Sequence, residues 1–236
     1  MAIPRVSEQE SPIRVVIKLS GSLFKWGMKA SDLEGIVELC KELKAKGVQP
    51  ILVAGGGEIA RHYISLGRSL GADETSLDEM GIAVARLNAS LLISSLKGLS
   101  YPTVPKNLDE VVQSVESGKI VAVGGLHPGH STNATAALIA ERVGAKLFIN
   151  ATDVDGVYTS DPRTDKDAKL LKKVTIKELM KILLEGKMNA GTYELMDLVA
   201  LKIIERSKIP TRIVKYSTLN LIRVIEGEDL GTIVEV

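Results

Sequence analysis

Four apolar segments, IRVVIKL (13–19), PILVA (50–54), KIVAVGG (119–125) and AKLFINAT (145–152), each run into a glycine- or serine-bearing loop. Strands buried on both faces read as near-continuous apolar runs, and such strands alternating with helices form a largely parallel sheet covered on both sides. This recurrence restricts the chain to the α/β class, as a three-layer α/β/α sandwich with a largely parallel central sheet. The intervening helical patterns are SDLEGIVELCKELKAKG, GEIARHYISLGRSLG, a long one from Leu77 to Lys97, TNATAALIAERVG, IKELMKILLEG and ELMDLVALKIIERS. The first opens on a Ser/Asp cap signal and stops at Gly47. TRIVKY, a short helix and TIVEV close the chain. There is no internal repeat and no Pro/Ser-rich linker. The most polar stretch, TSDPRTDKDAKLL (159–171), marks the expected division into lobes. We expect an N-terminal extension over 1–12 and a single two-lobed domain over 13–236, with lobes spanning approximately 13–145 and 146–236.

Composition narrows the partners. Aromatic residues make up 3% of the chain, so the core is built from Ile, Leu, Val and Ala, and the base-stacking surfaces of single-strand nucleic-acid binders are not expected. A formal net charge of +1 gives no general attraction to nucleic acid or to an anionic membrane. The single cysteine, Cys40, cannot form an internal disulfide, which fits a reducing compartment, and its setting among helix formers suits a buried thiol. The N-terminal MAIPRVSEQESP is polar, unlike a secretory signal, and no apolar run reaches the roughly 18 residues of a membrane span. A cytoplasmic protein is expected.

In a parallel sheet, loops that follow strands lie at the carboxyl ends, where ligands bind. Here they are KLSGSLF (18–24), GGGEIAR (55–61), GGLHPGHST (124–132) and TDVDGVYTSDP (152–162). One glycine loop is weak support, since tight turns need glycine for steric reasons alone. Four at corresponding places read as one site. Glycine admits an anion close to backbone N–H groups, and a helix N-terminus adds a favourable dipole. Gly55–Gly57, Gly124–Gly125 and Ser20–Ser22 can all work this way. Lys18, at a strand end, supplies a point charge for phosphate or is a solvated strand-end lysine. Arg61, one helical turn past the glycines, can add bidentate contacts, although His62 and Arg68 show that its helix has a polar face.

The GGG loop also satisfies G-x-G-x-x-A through Gly55, Gly57 and Ala60. A dinucleotide site needs an acidic residue closing the next strand about 20 residues on. Asp78 stands near that distance but in a helical pattern, and no G-x-x-x-x-G-K-[ST] occurs. The loops therefore read as phosphate chemistry without either common motif. Asp155 and Asp161 lie in an acceptor-rich loop. Asp197, placed within the helical pattern ELMDLVALKIIERS, is either a paired acid on the helix's inner face or a capping or surface residue. His127 and His130 flank Pro128-Gly129 and are too few for a zinc site, so no protein-held metal is expected.

The ordered set K-L-S-G-S (18–22), G-G-G-x-x-A-R (55–61), L-D-E-M-G (77–81), G-G-x-x-P-G-x-S-T (124–132), A-T-D-V-D-G-V-Y-T-x-D-P (151–162) and G-T-Y-E-L-M-D (191–197) resembles the amino-acid-kinase superfamily. Within it the chain is most similar to uridylate kinases of the archaeal type, from about Ile13 onward. The resemblance implies transfer of the γ-phosphate of ATP to UMP, with the first lobe binding the acceptor and the second binding ATP. It implies catalytic roles for Lys18 and Asp197, the latter orienting the lysine. ATP would meet Lys18, Leu19, Ser20, Gly21, Ser22, Gly57, Arg61, Thr152, Tyr158 and Asp161. UMP would meet Gly56, Asp78 at its ribose, and Gly125, Leu126, His127, Pro128, Gly129, His130, Ser131 and Thr132. Mg²⁺ bound mainly through ATP, and a homo-oligomer, a hexamer as a trimer of dimers in contact through the helix after the GGG loop, are further implications. Asp153 stands where Asn or Lys is usual, and FKWGMKAS (24–31) is peculiar to this chain. Isopentenyl phosphate kinase is the nearest enzymatic alternative. The polar LHPGHST favours a base and ribose over an apolar tail, and L-D-E-M-G disfavours an acetylglutamate kinase. A non-catalytic nucleotide- or oxyanion-binding protein is the alternative from another class.

Overall fold

The computed structural model of the protein describes residues 12–184 and 195–236. The expected extension over 1–12 lies almost wholly outside them, as do residues 191–194 of the G-T-Y-E-L-M-D motif. The strands are β1 (Ile13–Lys18), β2 (Val48–Val53), β3 (Val121–Val123), β4 (Leu147–Thr152), β5 (Val157–Tyr158), β6 (Leu170–Leu171), β7 (Lys173–Thr175), β8 (Thr211–Lys215) and β9 (Thr232–Glu235). The helices are α1 (Ser31–Ala45), α2 (Gly57–Ser69), α3 (Glu74–Leu96), α4 (Leu108–Glu116), α5 (Thr132–Arg142), α6 (Ile176–Leu184), α7 (Leu198–Ser207) and α8 (Thr218–Ile225).

Seven strands form one sheet in the order β3-β2-β1-β4-β8-β9-β7. β3, β2, β1, β4 and β8 run parallel; β9 turns against β8 and carries β7 parallel to itself. The expected three-layer sandwich is what the chain adopts. Along β1, Val16 faces a core shared with α4, α5, α6 and α7, while Val15 and Ile17 face one shared with α1, α3 and α8. Both faces of β1 and β2 are therefore apolar, which is why these strands read as unbroken hydrophobic runs. Cys40 is buried in the second of these cores, as its sequence setting suggested.

Several boundaries differ from the sequence reading. The strand expected over 119–125 is confined to Val121–Val123, with a single bridge from Ile120 to Ser100. The helix expected from Leu77 begins at Glu74, because Asp73 caps it through the Ser76 N–H. At α1 the Ser/Asp signal acts differently from a cap: Ala30 holds the cap position and Asp32 accepts the Lys29 N–H instead. α4 and the short strands β5, β6 and β7 fall where the sequence predicts no element. The polar stretch 159–171 is the turn and second strand of the β5–β6 hairpin.

Candidate functional site

The four loops singled out from the sequence all leave the carboxyl ends of parallel strands, β1 to β4, and β1, β2 and β4 are direct neighbours about the middle of the sheet. Close backbone approach joins them. A side chain on Gly21 would begin 3.6 Å from the Gly57 Cα and 3.9 Å from Arg61 Nη1, so the Ser20–Ser22 turn and the GGG loop abut and Arg61 reaches both. Gly57 has φ +64°, and a Cβ there would overlap the Phe24 carbonyl, whose oxygen accepts the Glu58 N–H at 3.1 Å. The 24–31 segment, unassigned by sequence, is thus docked on the start of α2; the Trp26 N–H also donates to Glu58 Oε2 at 2.8 Å. A Cβ on Gly55 would lie 3.6 Å from Thr132 Oγ1, which places the start of α5 beside the same loop.

The Ser20–Ser22 turn is self-supporting. The two hydroxyls are 2.8 Å apart, and the Ser22 N–H donates to Ser20 Oγ at 3.2 Å. Leu19 is fully buried, and its N–H donates to the Val53 carbonyl at 2.9 Å. Lys18 is half-buried at the end of β1.

The 124–132 loop is held from α3. Asp78 Oδ2 accepts the Gly129 N–H at 2.7 Å, Arg86 Nε donates to the Gly125 carbonyl at 3.0 Å, and Arg86 Nη2 reaches the Lys106 carbonyl at 3.1 Å. Leu126 is buried, whereas His127, Pro128, Gly129, His130 and Ser131 are exposed, the two imidazoles meeting edge to face with centroids 6.1 Å apart. Ser131 caps α5 by accepting the Ala134 N–H at 2.9 Å.

Asp197 requires a correction. It stands just before α7 as its N-cap, with φ −121° and ψ 165°, and Oδ1 accepts the Ala200 N–H at 2.9 Å. An aspartate in this position satisfies an otherwise orphaned helix donor, so the helix begins after it. Its Oδ2 accepts the Ser131 hydroxyl, tying the starts of α5 and α7 together at the carboxyl edge of the sheet.

Thr152, Tyr158 and Asp161 follow β4. Thr152 Oγ1 donates to Asp153 Oδ1 at 3.1 Å, and the Tyr158 hydroxyl donates to Asp155 Oδ2 at 3.1 Å. Burial, reinforced by the Asp155 carboxylate, pushes the Tyr158 phenol above its ordinary range. Asp161 takes the Arg163 backbone N–H at 3.0 Å and its guanidinium Nε at 3.1 Å, and that pairing holds its carboxyl below the usual range. Those contacts are local, none spanning more than three positions, whereas the Ser20–Ser22 turn and the start of α5 each lie against the GGG loop.

Three asparagines escaped the sequence reading. Asn88, buried on α3, donates to the Gly55 carbonyl at 2.8 Å and the Gly56 carbonyl at 3.3 Å, fixing the GGG loop from below. Asn133 and Asn150 are buried close to the site, each with an amide oxygen that has no partner among the described residues. A lone amide beside apolar residues was the available signal for Asn88 and Asn150; Asn133, within STNATA, carried none.

A strand-end lysine, three glycine- and serine-bearing loops that meet at the GGG loop, and an acid shared between two helix starts lie at the carboxyl edge of a parallel α/β sheet. The chain belongs to the amino acid kinase family, whose model matches residues 14–215, and within it to the uridylate-kinase group. It is 45% identical to the uridylate kinase of Sulfurisphaera tokodaii over 228 residues, covering 94% of this chain and 99% of that one. It is 41% identical to the uridylate kinase of Methanocaldococcus jannaschii, covering 94% and 100%. Among solved structures, the uridylate kinase from Archaeoglobus fulgidus superposes with a TM-score of 0.84 at 38% identity, covering 94% of this chain and all of that one.

Proposed function

We propose that the protein transfers the γ-phosphoryl group of ATP to UMP, giving ADP and UDP, as a step of pyrimidine nucleotide biosynthesis in the cytoplasm. The observation that carries this is the convergence of the Ser20–Ser22, Gly55–Gly57 and Gly124–Thr132 loops beside Lys18, in a chain 45% identical to a uridylate kinase over nearly its whole length. Phosphoryl transfer leaves the protein little covalent work, so catalysis is positioning plus neutralisation of charge. Two anionic substrates must meet, and Lys18, Arg61 and the loop N–H groups offset their repulsion. A UMP phosphate oxygen is already nucleophilic, so no general base is required. Asp197, engaged by the Ser131 hydroxyl and the Ala200 N–H, acts as an organiser.

ATP is assigned to Lys18, Leu19, Ser20, Gly21, Ser22, Gly57, Arg61, Thr152, Tyr158 and Asp161. UMP is assigned to Gly56, Asp78 and Gly125–Thr132. The sheet order supports lobes divided between β1 and β4, with β3-β2-β1 on the acceptor side and β4-β8-β9-β7 on the ATP side. Among the described residues no three His, Cys, Asp or Glu side chains gather into a cation cage; we assign the divalent ion to nucleotide oxygens and water, the usual ligands of magnesium at phosphates. Mg²⁺ is the ion we assign; when bound it neutralises phosphate charge. Among the described residues no helix is long and apolar enough to cross a membrane. We assign a homo-oligomer, a hexamer built as a trimer of dimers; what supports self-association is the exposed apolar side chains of Tyr63 and Leu66 on α2 and Leu70 just after it, with the exposed Trp26 ring 6.4 Å from His62 of the same helix.

The test is ADP release from ATP and Mg²⁺ with UMP, CMP, dUMP, AMP, isopentenyl phosphate or N-acetylglutamate as acceptor. Turnover with UMP that disappears in Lys18→Ala is the expected result. Turnover with isopentenyl phosphate alone would overturn the acceptor. Bound ATP with no turnover on any acceptor would overturn catalysis.

A further inference from the structure

Asn150 is out of place by the logic of its strand. β4, LFINAT, is buried along its whole length, and Asn150 itself is wholly inaccessible. Its Oδ1 has no partner among the described residues, a costly state for a buried acceptor, whereas valine there would suit both the strand and the surrounding core. The other half of the amide is engaged: Nδ2 donates to the Leu195 carbonyl, 45 residues along the chain.

The location of that bond gives it meaning. Lys18 of β1 and Asn150 of β4 are direct partners in adjacent parallel strands. Val16 and Phe148, two residues earlier in each strand, both face the core shared with α5 and α7, and strand alternation puts Lys18 and Asn150 on that same side. Leu195 and Met196 are buried, and the next residue is Asp197, whose carboxylate joins Ser131 and caps α7. One amide thus pins the chain two residues before the organising acid to the strand beside the lysine. Local departures from otherwise consistent packing concentrate at functional sites.

We propose that Asn150 is a positioning residue for phosphoryl transfer, setting the placement of Asp197 relative to Lys18 through the Leu195 carbonyl. This rests on the kinase reading above, and turnover of UMP by the wild-type protein checks that reading separately. The experiment compares Asn150→Val, which restores an apolar strand, with Asn150→Ala, which leaves a void, by steady-state kinetics and thermal melting. Both variants lack the donor. The expected result is a fall in kcat of roughly 10- to 100-fold in both, with KM for UMP and for ATP within about threefold of wild type, the scale expected for a small misplacement of a reacting pair. Melting temperatures should diverge, with Val at or above wild type and Ala below it. If kcat of Asn150→Val stays within twofold of wild type, or if the kcat losses follow the melting temperatures, Asn150 is only a packing residue and the proposal fails. Should Asn150→Val not fold, an unimpaired kcat in Asn150→Ala refutes it equally.

Discussion

Replacing Gly57 by alanine tests whether the GGG loop needs glycine for close approach or only for its turn. The residue has φ +64°, a left-handed conformation that costs a side chain about 1–2 kcal/mol. Its Cβ would also overlap the Phe24 carbonyl, which would have to withdraw and loosen the Glu58 N–H bond made at 3.1 Å, worth about another 1 kcal/mol. Gly71, with φ +83° and nothing within 4 Å of an added Cβ, isolates the conformational cost alone. Gly71→Ala should therefore lose about 1 kcal/mol and keep its activity, whereas Gly57→Ala should lose about 2–3 kcal/mol. Because the displaced backbone separates the Ser20–Ser22 turn from Arg61, kcat/KM for UMP phosphorylation should also fall roughly 100-fold in Gly57→Ala. Urea unfolding read by circular dichroism gives the first quantity and coupled ADP release the second. Equal stability loss in the two variants, with Gly57→Ala active to within threefold, would refute the close-approach argument.

Asn88→Leu removes the donor that holds the Gly55 and Gly56 carbonyls, and should cost about 2–3 kcal/mol in urea unfolding and raise KM for UMP. Asp161→Asn weakens the Arg163 pairing that orders the hairpin turn; KM for ATP should rise several-fold in initial-rate assays while KM for UMP stays unchanged. Burial pushes the Cys40 thiol from 9.0 up to about 12, so the folded state holds its proton where the unfolded chain releases it. The stabilisation from that retained proton is complete below pH 9 and is lost as pH rises toward about 12, with a slope approaching ~1.4 kcal/mol per pH unit that Cys40→Ala should remove from stability measured against pH. Native protein at pH 8 should also leave Cys40 unmodified by a thiol reagent that labels it in urea.

How far the site was legible depended on whether a residue's role is local. Gly57 and Gly47 could be read directly, because a positive φ at the end of a strand–turn or a helix is a backbone requirement that one residue type meets best. Asp197 shows the limit. Its neighbours Met196 and Leu198 continue an apolar helical pattern, and nothing in that pattern distinguishes a first-turn residue from a cap. The distinction came from the Ala200 N–H and the Ser131 hydroxyl, the second supplied by a residue 66 positions away. Helix α4 was missed although it is as long as α6, because its apolar face is built mostly of valines, which favour strands over helices.

The sequence by itself determined the class of the sheet and the four loops at its carboxyl edge. These follow from periodicity and backbone sterics, which act over a few residues. Only the tertiary structure decided that Asn88 grips the GGG loop, that Arg86 and Asp78 hold the 124–132 loop, and that Asn150 joins Leu195 beside Lys18. Each is a hydrogen bond between residues more than 30 positions apart. An amide in an apolar run announces only that some buried group will need it; which group that is depends on how the layers come to lie against one another.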